Sequence, residues 1–312
     1  MILNAGDRTD IPAFYVPWLK NRLREGCVLA RNPYFPALVT RYRLDPEVVD
    51  VLVFCTKNPR PLLDDPEVRA LLEPFCTFWF VTVTPYGSDL EPRVPLADQV
   101  LADVRRLSAC VGPARLSWRY DPVIVSEDYP VARHVAEFAR MARALEGAVD
   151  QCVVSFVDLY DKTRRNLPSV RAVAPAEQEE LVAAFAEAAA QCGMQVHLCC
   201  EDARLVRPHV DADGCMSRAV LERAAGTRLH VPAGYRGARE ACQCLLGADI
   251  GAYNTCPHGC RYCYANFDQA AVARNRARHD PGSPLLVGHL EPGDDVRDAR
   301  QASWRDDQLA LF

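Results

Sequence analysis

The chain has 312 residues, 49% of them hydrophobic and 25% charged, with a formal net charge of −5. That balance belongs to a folded globular protein and excludes a disordered chain, a collagen-like fibre and a membrane bundle, since no run of about 18 apolar residues occurs. The charge and a pI near 5.8 give no global electrostatic case for nucleic acid or an anionic membrane. The N-terminus is polar by its fourth residue, which is not a signal peptide, so a cytoplasmic protein is expected.

In chain order, short apolar or β-branched runs at 2–5, 49–55, 77–84, 115–118, 152–157 and 195–200 read as strands. Amphipathic stretches at 12–24, 66–72, 96–110, 131–145 and 177–192 read as the helices between them. Strands alternating with helices imply βαβ units and a parallel sheet. Near-continuous apolar runs such as 51–55 suit a sheet covered on both faces. No Gly-x-Gly-x-x-Gly follows a strand, so a dinucleotide fold has no support. Several strands end in polar runs (56–59, 84–87, 119–122 and 158–162), where a barrel carries its active site. The expected fold is therefore α/β, a complete or partial (β/α) barrel. Residues 1–200 are its main portion, and 201–268 a cysteine-rich portion that completes it. Residues 269–312 read as a charged tail that either docks its last apolar residues, 309–312, or is disordered.

Fourteen cysteines in a chain long enough to bury a core point to metal or redox chemistry, not to disulfides. Eight of them lie between Cys199 and Cys263. The strongest signal is Cys256-Pro-His-Gly-Cys260-Arg-Tyr-Cys263, spaced C-x3-C-x2-C. Three thiolates around a four-iron cluster leave one iron open to chelate a small molecule. Paired zinc knuckles and ferredoxin spacings fit this array poorly. Cys200, Cys215, Cys242 and Cys244 are candidates for a second, closed site holding either an Fe–S cluster or zinc. On a strand Cys199 and Cys200 face opposite ways, and Cys200 is the expected ligand. Burial as small hydrophobes is the competing reading.

The three-cysteine array resembles the signature of the radical S-adenosylmethionine superfamily. That resemblance implies a [4Fe–4S] cluster on Cys256, Cys260 and Cys263, with S-adenosyl-L-methionine chelated to the open iron. It also implies a 5′-deoxyadenosyl radical formed after one electron arrives from a donor such as flavodoxin or ferredoxin, and Tyr262 against the adenine. In the superfamily the motif follows the first barrel strand; here it lies four fifths along the chain. A circularly permuted barrel is therefore expected, with residues near 249–254 as first strand and 2–5 as the next. The superfamily's Gly-Gly-Glu motif, which holds the methionine amino group, is not visible. Essentially the whole chain resembles an uncharacterised bacterial family, DUF 1848, through Arg8-Thr-Asp-Ile-Pro12, Asn32-Pro33, Thr56-Lys-Asn-Pro59, Trp118-Arg-Tyr-Asp-Pro122 and Asp249-Ile-Gly-Ala-Tyr-Asn-Thr-Cys256. That family brings no known reaction. The Thr-Lys-Asn and Tyr-Asp-Pro strands are also similar to spore photoproduct lyase, which implies a nucleic-acid lesion as substrate.

Of the 36 basic residues only Lys20, Lys57 and Lys162 are lysine. Lys57 and Lys162 follow strand ends and could bind a carboxylate or phosphate, or be solvated loop residues. Lys20 reads as surface. Arg119 and Asp121 flank Tyr120, which projects the other way; they read as a catalytic pair or as an ion pair closing the barrel. Arg8, Thr9 and Asp10 follow the first strand and could meet a cofactor carboxylate or ribose, with Asp10 as a helix N-cap the plainer reading. His258 shapes the cysteine loop. The rival functions are a non-catalytic Fe–S electron carrier or sensor, and a zinc-stabilised nucleic-acid module whose basic face would lie at 218–239.

Overall fold

The computed structural model describes residues 1–233, 235, 242, 244–245 and 247–306. The first strand, β1 (Ile2–Asn4), leads into α1 (Ile11–Phe14) and α2 (Val16–Glu25). Gly26, in the left-handed conformation at φ 65°, stops α2, a conformation that favours glycine. A hairpin of β2 (Cys27–Arg31) and β3 (Leu38–Arg43) follows. The alternating part runs β4 (Val51–Thr56), α3 (Arg60–Leu63), α4 (Pro66–Leu72), β5 (Thr77–Thr82), α5 (Ala97–Val111), β6 (Leu116–Val123), α6 (Val131–Leu145) and β7 (Gln151–Phe156). It continues through α7 (Asp161–Asn166), α8 (Pro175–Gln191), β8 (Gln195–Leu198), β9 (Val210–Asp211), α9 (Arg218–Ala225), β10 (Ala248–Asp249), α10 (Gln269–Ala277) and β11 (Asp295–Asp298).

Eight strands make one parallel sheet in the order β10-β1-β4-β5-β6-β7-β8-β9. The six expected strands and five helical stretches are all present, the first helix being divided at Tyr15. The strand late in the chain, β10, pairs with β1 through Leu3 and Ala248. It thus stands at one edge of the sheet.

Alternation along the strands divides the core in two. One set, including Leu52, Phe54, Trp79, Trp118 and Tyr120, packs against the helices. There Trp118 stacks on Phe138 and Phe138 on Phe185, with ring centroids 4.7 and 4.1 Å apart. The other set, Ile2, Val51, Val53, Phe78, Phe80 and Val153, is covered by the 215–245 stretch through Met216, Val220, Leu221 and Leu245. A sheet with both faces covered is what continuous apolar strands require.

The segment after Asp268 corrects the expectation of a surface tail. It forms α10, buries Leu285 and Leu286, and adds β11 in parallel to β3, giving a second sheet ordered β11-β3-β2. Polar, charged β11 (Asp-Val-Arg-Asp) lacks the apolar run by which a strand is recognised. The proposed docking residues 309–312 lie outside the described residues, as do 234 and 236–239 of the candidate basic face. No described helix is long and apolar enough to cross a membrane.

Candidate functional site

The cysteine array lies in the loop that follows β10. Ile250 N–H continues the pairing with Asn4 O at 2.9 Å. The chain then turns at Asn254, left-handed at φ 55°. The loop is closed by Asn254 N–H to Ala265 O at 2.9 Å and by Asn266 Nδ2 to Cys256 O at 2.7 Å. Gly259, at φ 75°, lies so close to the Arg93 guanidinium that a Cβ would come within 2.9 Å of it. The loop is pinned across segments that follow β5 and β7. Arg261 N–H bonds Leu90 O at 3.0 Å, and Arg93 N–H bonds His258 O at 3.2 Å. Lys162 Nζ donates to Cys263 O at 2.6 Å, and Asn166 Nδ2 to Arg261 O at 3.0 Å. Sheet edge, loop and strand-end residues thus meet in one place.

Cys256 and Cys260 are buried, and Cys263 is half-buried. Burial pushes the Cys256 thiol up to about 12, with the charges of Asp10 and Cys263 adding to it, while the backbone at His258 and Asp10 pulls the other way. Burial likewise raises Cys260 well above the ordinary thiol range, against the Lys57 charge. Asp10 ties the loop to β1. Its Oδ1 caps α1 through Ala13 N–H at 3.0 Å, and its Oδ2 accepts from Lys57 N at 2.8 Å and His258 Nε2 at 2.9 Å. Asp10 is thus engaged by three protein donors and has little left for a ribose. His258 Nδ1 faces Arg93 O at 3.1 Å, so this residue shapes the loop.

Glu91 is the hub of the other side. Its Oε1 accepts from Lys57 Nζ at 2.9 Å, from Thr84 Oγ1 at 2.7 Å and from the Tyr262 hydroxyl. Burial works against the Lys57 charge, but Glu91 and Cys260 outweigh it and raise its pKa. Burial, and then Glu91, hold the Tyr262 phenol well above its usual range. Lys162 is lowered by burial. Two of the three lysines therefore reach the cysteine loop, while Lys20 pairs with Asp65 at 2.8 Å on α2.

Arg119 and Asp121 share one face of β6. The Arg119 Nε donates to Asp121 at 3.0 Å, and Ser155 Oγ donates to the other carboxylate oxygen. Tyr120 turns away to His134 Nδ1 at 2.8 Å. Near β1, Asp249 accepts Asp7 N–H at 2.9 Å and Gly251 N–H at 2.8 Å. Burial and the adjacent Asp7 push Asp249 up to about 7. Arg8 lies 3.9 Å from Asp249 and 5.4 Å from the Tyr253 ring centroid. Thr9 Oγ1 and Asn266 Oδ1 are buried without a protein partner. A cavity of about 770 Å³ adjoins the loop, its wall including Cys260 and Asn266 and its rim Arg93, Lys162, Arg165 and Arg261.

Part of the second group of thiols also comes together. Cys215 Sγ lies 3.5 Å from Cys244 Sγ, and Cys199 and Cys242 pack against the same cluster. On β8, Val196 and Leu198 pack toward the helices, so Cys199 falls on the opposite face. Cys200 instead turns the chain away at φ 59°. Among the described residues no three His, Cys, Asp or Glu side chains are gathered tightly enough to chelate a single ion. Glu91 was missed from sequence: it lies in a loop with no flanking pattern, although Thr84, its partner, falls in one of the polar strand-end runs.

The family described as Domain of unknown function (DUF1848) matches residues 2–265. No curated protein and no solved structure matches the chain. The family match runs from β1 through β10 and the whole cysteine array, leaving out α10 and β11, and the chain therefore belongs to the DUF1848 family.

Proposed function

We propose that this chain is a radical S-adenosylmethionine enzyme on an incomplete, circularly permuted (β/α) barrel, with a [4Fe–4S] cluster held by Cys256, Cys260 and Cys263. The observation that carries the reading is where the C-x3-C-x2-C loop lies: directly after the edge strand β10, against the residues that follow β1, β5 and β7. The C-terminal ends of parallel strands are where barrels carry their chemistry. The order β10-β1-β4 is what a barrel entered at its second strand would have.

The donor set fits such a cluster. Three thiols lie on one pinned loop, and the backbone at His258 and Asp10 favours the charged form of Cys256, the form that ligates a cluster. A single-ion spacing is not required of them, because cubane ligands stand farther apart than those around one ion. When bound, the cluster and S-adenosylmethionine together supply a 5′-deoxyadenosyl radical. The chain's own residues position and shield. Glu91 fixes both the Tyr262 hydroxyl and the Lys57 ammonium, so the ring has one orientation in which to meet a flat base. Thr9 Oγ1 and Asn266 Oδ1 offer unused polar atoms. Arg119, Asp121 and Ser155 form a bonded polar group one strand further in. The cationic rim beside Cys260 suits an electron donor with an acidic surface, such as flavodoxin or ferredoxin. No disulfide links the described cysteines, which fits a reducing cytoplasm. The net charge of −5 does not favour nucleic acid, the substrate class implied by the lyase resemblance.

The test is anaerobic reconstitution with iron and sulfide, reduction, addition of S-adenosylmethionine and chromatography for 5′-deoxyadenosine. Wild type should release the nucleoside, and Cys260→Ala only background. A fully loaded wild type that releases none overturns the enzyme reading in favour of an electron carrier or sensor. Equal yields from both proteins would overturn the ligand assignment.

A further inference from the structure

We infer that the cavity beside the cysteine loop is a binding site for an organic diphosphate of nucleotide size, held by arginine and lysine side chains. Such a site needs no iron–sulfur cluster, so it stands apart from the enzyme reading. The cavity, of about 770 Å³, falls in the size range of sites that enclose a small organic ligand. Three segments distant in sequence build it. They are residues 92–93 after β5, the helix α7 after β7, and the chain that runs from the cysteine loop into α10.

The lining is strongly cationic. Arg93, Lys162, Arg165 and Arg261 stand there against one carboxylate, Asp268. Asp268 is spent on its own helix, its oxygens accepting Ala270 N–H at 2.9 Å and Ala271 N–H at 3.1 Å. None of the four cations meets a carboxylate among the described residues. Arg93 donates to two neutral acceptors, Pro257 O and, at 3.2 Å, Gln269 Oε1. Lys162 meets the Cys263 carbonyl where Lys57 meets the Glu91 carboxylate. Arg165 and Arg261 are exposed. Elsewhere the chain pairs its arginines with carboxylates, as at Arg22, Arg31, Arg60 and Arg204. Like charges around a concave surface repel one another and focus a positive potential into it. A bound polyanion relieves that repulsion.

The donors select the kind of anion. Guanidinium forks match phosphate oxygens two at a time, and an ammonium adds a compact charge beside them. Three positive charges left unbalanced in the lining suit a diphosphate better than a single phosphate. The cavity has room beyond a diphosphate, and two lining residues suit an organic part. Phe267 is 60% exposed and offers a ring face on which a flat base can stack. Asn266 is 2% exposed; its Nδ2 is tied to Cys256 O, and its Oδ1 has no partner among the described residues. A ligand hydroxyl or amino group would satisfy that oxygen, and a buried acceptor left unmade is costly. A protein with an acidic surface would meet the same cations at the rim and would leave Asn266 unused.

The experiment titrates adenosine diphosphate, inorganic pyrophosphate, adenosine and citrate into the full chain by calorimetry, without magnesium and at about 0.15 M salt. The nucleotide should bind, pyrophosphate about tenfold more weakly, and adenosine and citrate not measurably. Arg165→Gln and Arg261→Gln change exposed side chains and should leave the fold intact. Each should weaken the nucleotide about tenfold, as loss of a charge-assisted hydrogen bond does. Arg69→Gln removes the same charge from the exposed face of α4 and should leave binding unchanged. No nucleotide binding, citrate bound as tightly as the nucleotide, or an equal effect of Arg69→Gln would each overturn the inference. So would arginine variants that lose an acidic ferredoxin but keep the nucleotide, since the cations would then serve a protein partner. Displacement of the nucleotide by S-adenosylmethionine would place it in the other site and overturn the inference too. Cys256→Ala should still bind the nucleotide, which keeps this outcome distinct from failure of the enzyme reading, scored by 5′-deoxyadenosine release alone.

Discussion

The two groups of thiols sit in opposite surroundings. The 256–263 loop is held by polar groups: Asp10 and Glu91 bond its His258 and Tyr262 side chains, Lys162 bonds its backbone, and Lys57 bonds both Asp10 and Glu91. The Cys199–Cys244 group is held by hydrocarbon, wedged between Phe80, Val153 and the aliphatic side chains of the 215–245 stretch. The difference bears on what each can do. Three thiols on a hydrogen-bonded loop beside a cavity leave room for a small molecule to enter. Thiols under an apolar cover leave none, and there they pack as small hydrophobic groups.

This contrast can be broken from either side. Leu221, fully buried in the apolar cover, is the larger test. Leu221→Ala should cost about 3–4 kcal/mol in urea denaturation, as a cavity in a packed core does. It should leave iron loading of the loop unchanged. The converse variant is Glu91→Ala. Glu91 and Lys57 are both largely shielded from solvent, with side-chain exposures of 5% and 14%. Removing the carboxylate strands a shielded ammonium, which should cost about 3 kcal/mol and loosen Tyr262. If Leu221→Ala lowers iron loading as much as Glu91→Ala lowers nucleoside release, the two regions are coupled and the contrast fails.

How much of this was legible in the sequence follows from range. The strands β1, β4, β5, β6, β7 and β8 announce themselves because each is a local apolar run whose partners lie on both faces. The helices do so by their 3.6-residue stripe. The hairpin β2–β3 and β11 form a sheet whose outer residues, such as Arg41, Arg43 and Arg297, are exposed, and polar strands carry no comparable local signal. The three loop cysteines were legible because their spacing is local. Glu91 was not, because its meaning lies in Lys57, 34 residues away, and in Tyr262, 171 residues away. Val196 and Leu198 mark the helix-facing side of β8, so strand parity puts Cys199 on the other side, in the cluster of Cys215 and Cys244.

A smaller effect should come from the buried carboxylates between β1 and β10. Unfolded, each titrates near 4; folded, Asp249 is pushed up to about 7 by burial and by Asp7, which burial also raises. The folded chain therefore holds the proton more tightly. The stability this brings is fully present below about pH 4 and is lost as pH rises through about 7. Asp7→Asn removes the like charge and lets Asp249 fall back toward its usual range. Urea midpoints at pH 5 and pH 8 should show wild type losing about 1–2 kcal/mol more than the variant. Equal losses would mean that the two carboxyls do not repel one another.

The smallest effect is the sharpest check on the idea that a rare lysine marks a site. Lys20 is as rare as Lys57, and its ammonium also meets a carboxylate, Asp65, at 2.8 Å. The distances are alike; the surroundings are not. Asp65 is spread over several partners, since its other oxygen caps α4 through Glu67 N–H and Val68 N–H at 3.0 Å each. It keeps those bonds when the lysine is gone. Lys20 itself has a second carboxylate, Glu67, at 3.3 Å, on the solvent side of α2 and α4. Water can replace what the pair provides, so Lys20→Gln should cost no more than about 0.5 kcal/mol and should leave nucleoside release and iron content at wild-type levels. Lys57→Gln should instead leave Glu91 shielded and short of its cation, and should lower nucleoside release. Equal behaviour of the two variants would show that the shielding of Lys57, and not its rarity alone, had been given too much weight.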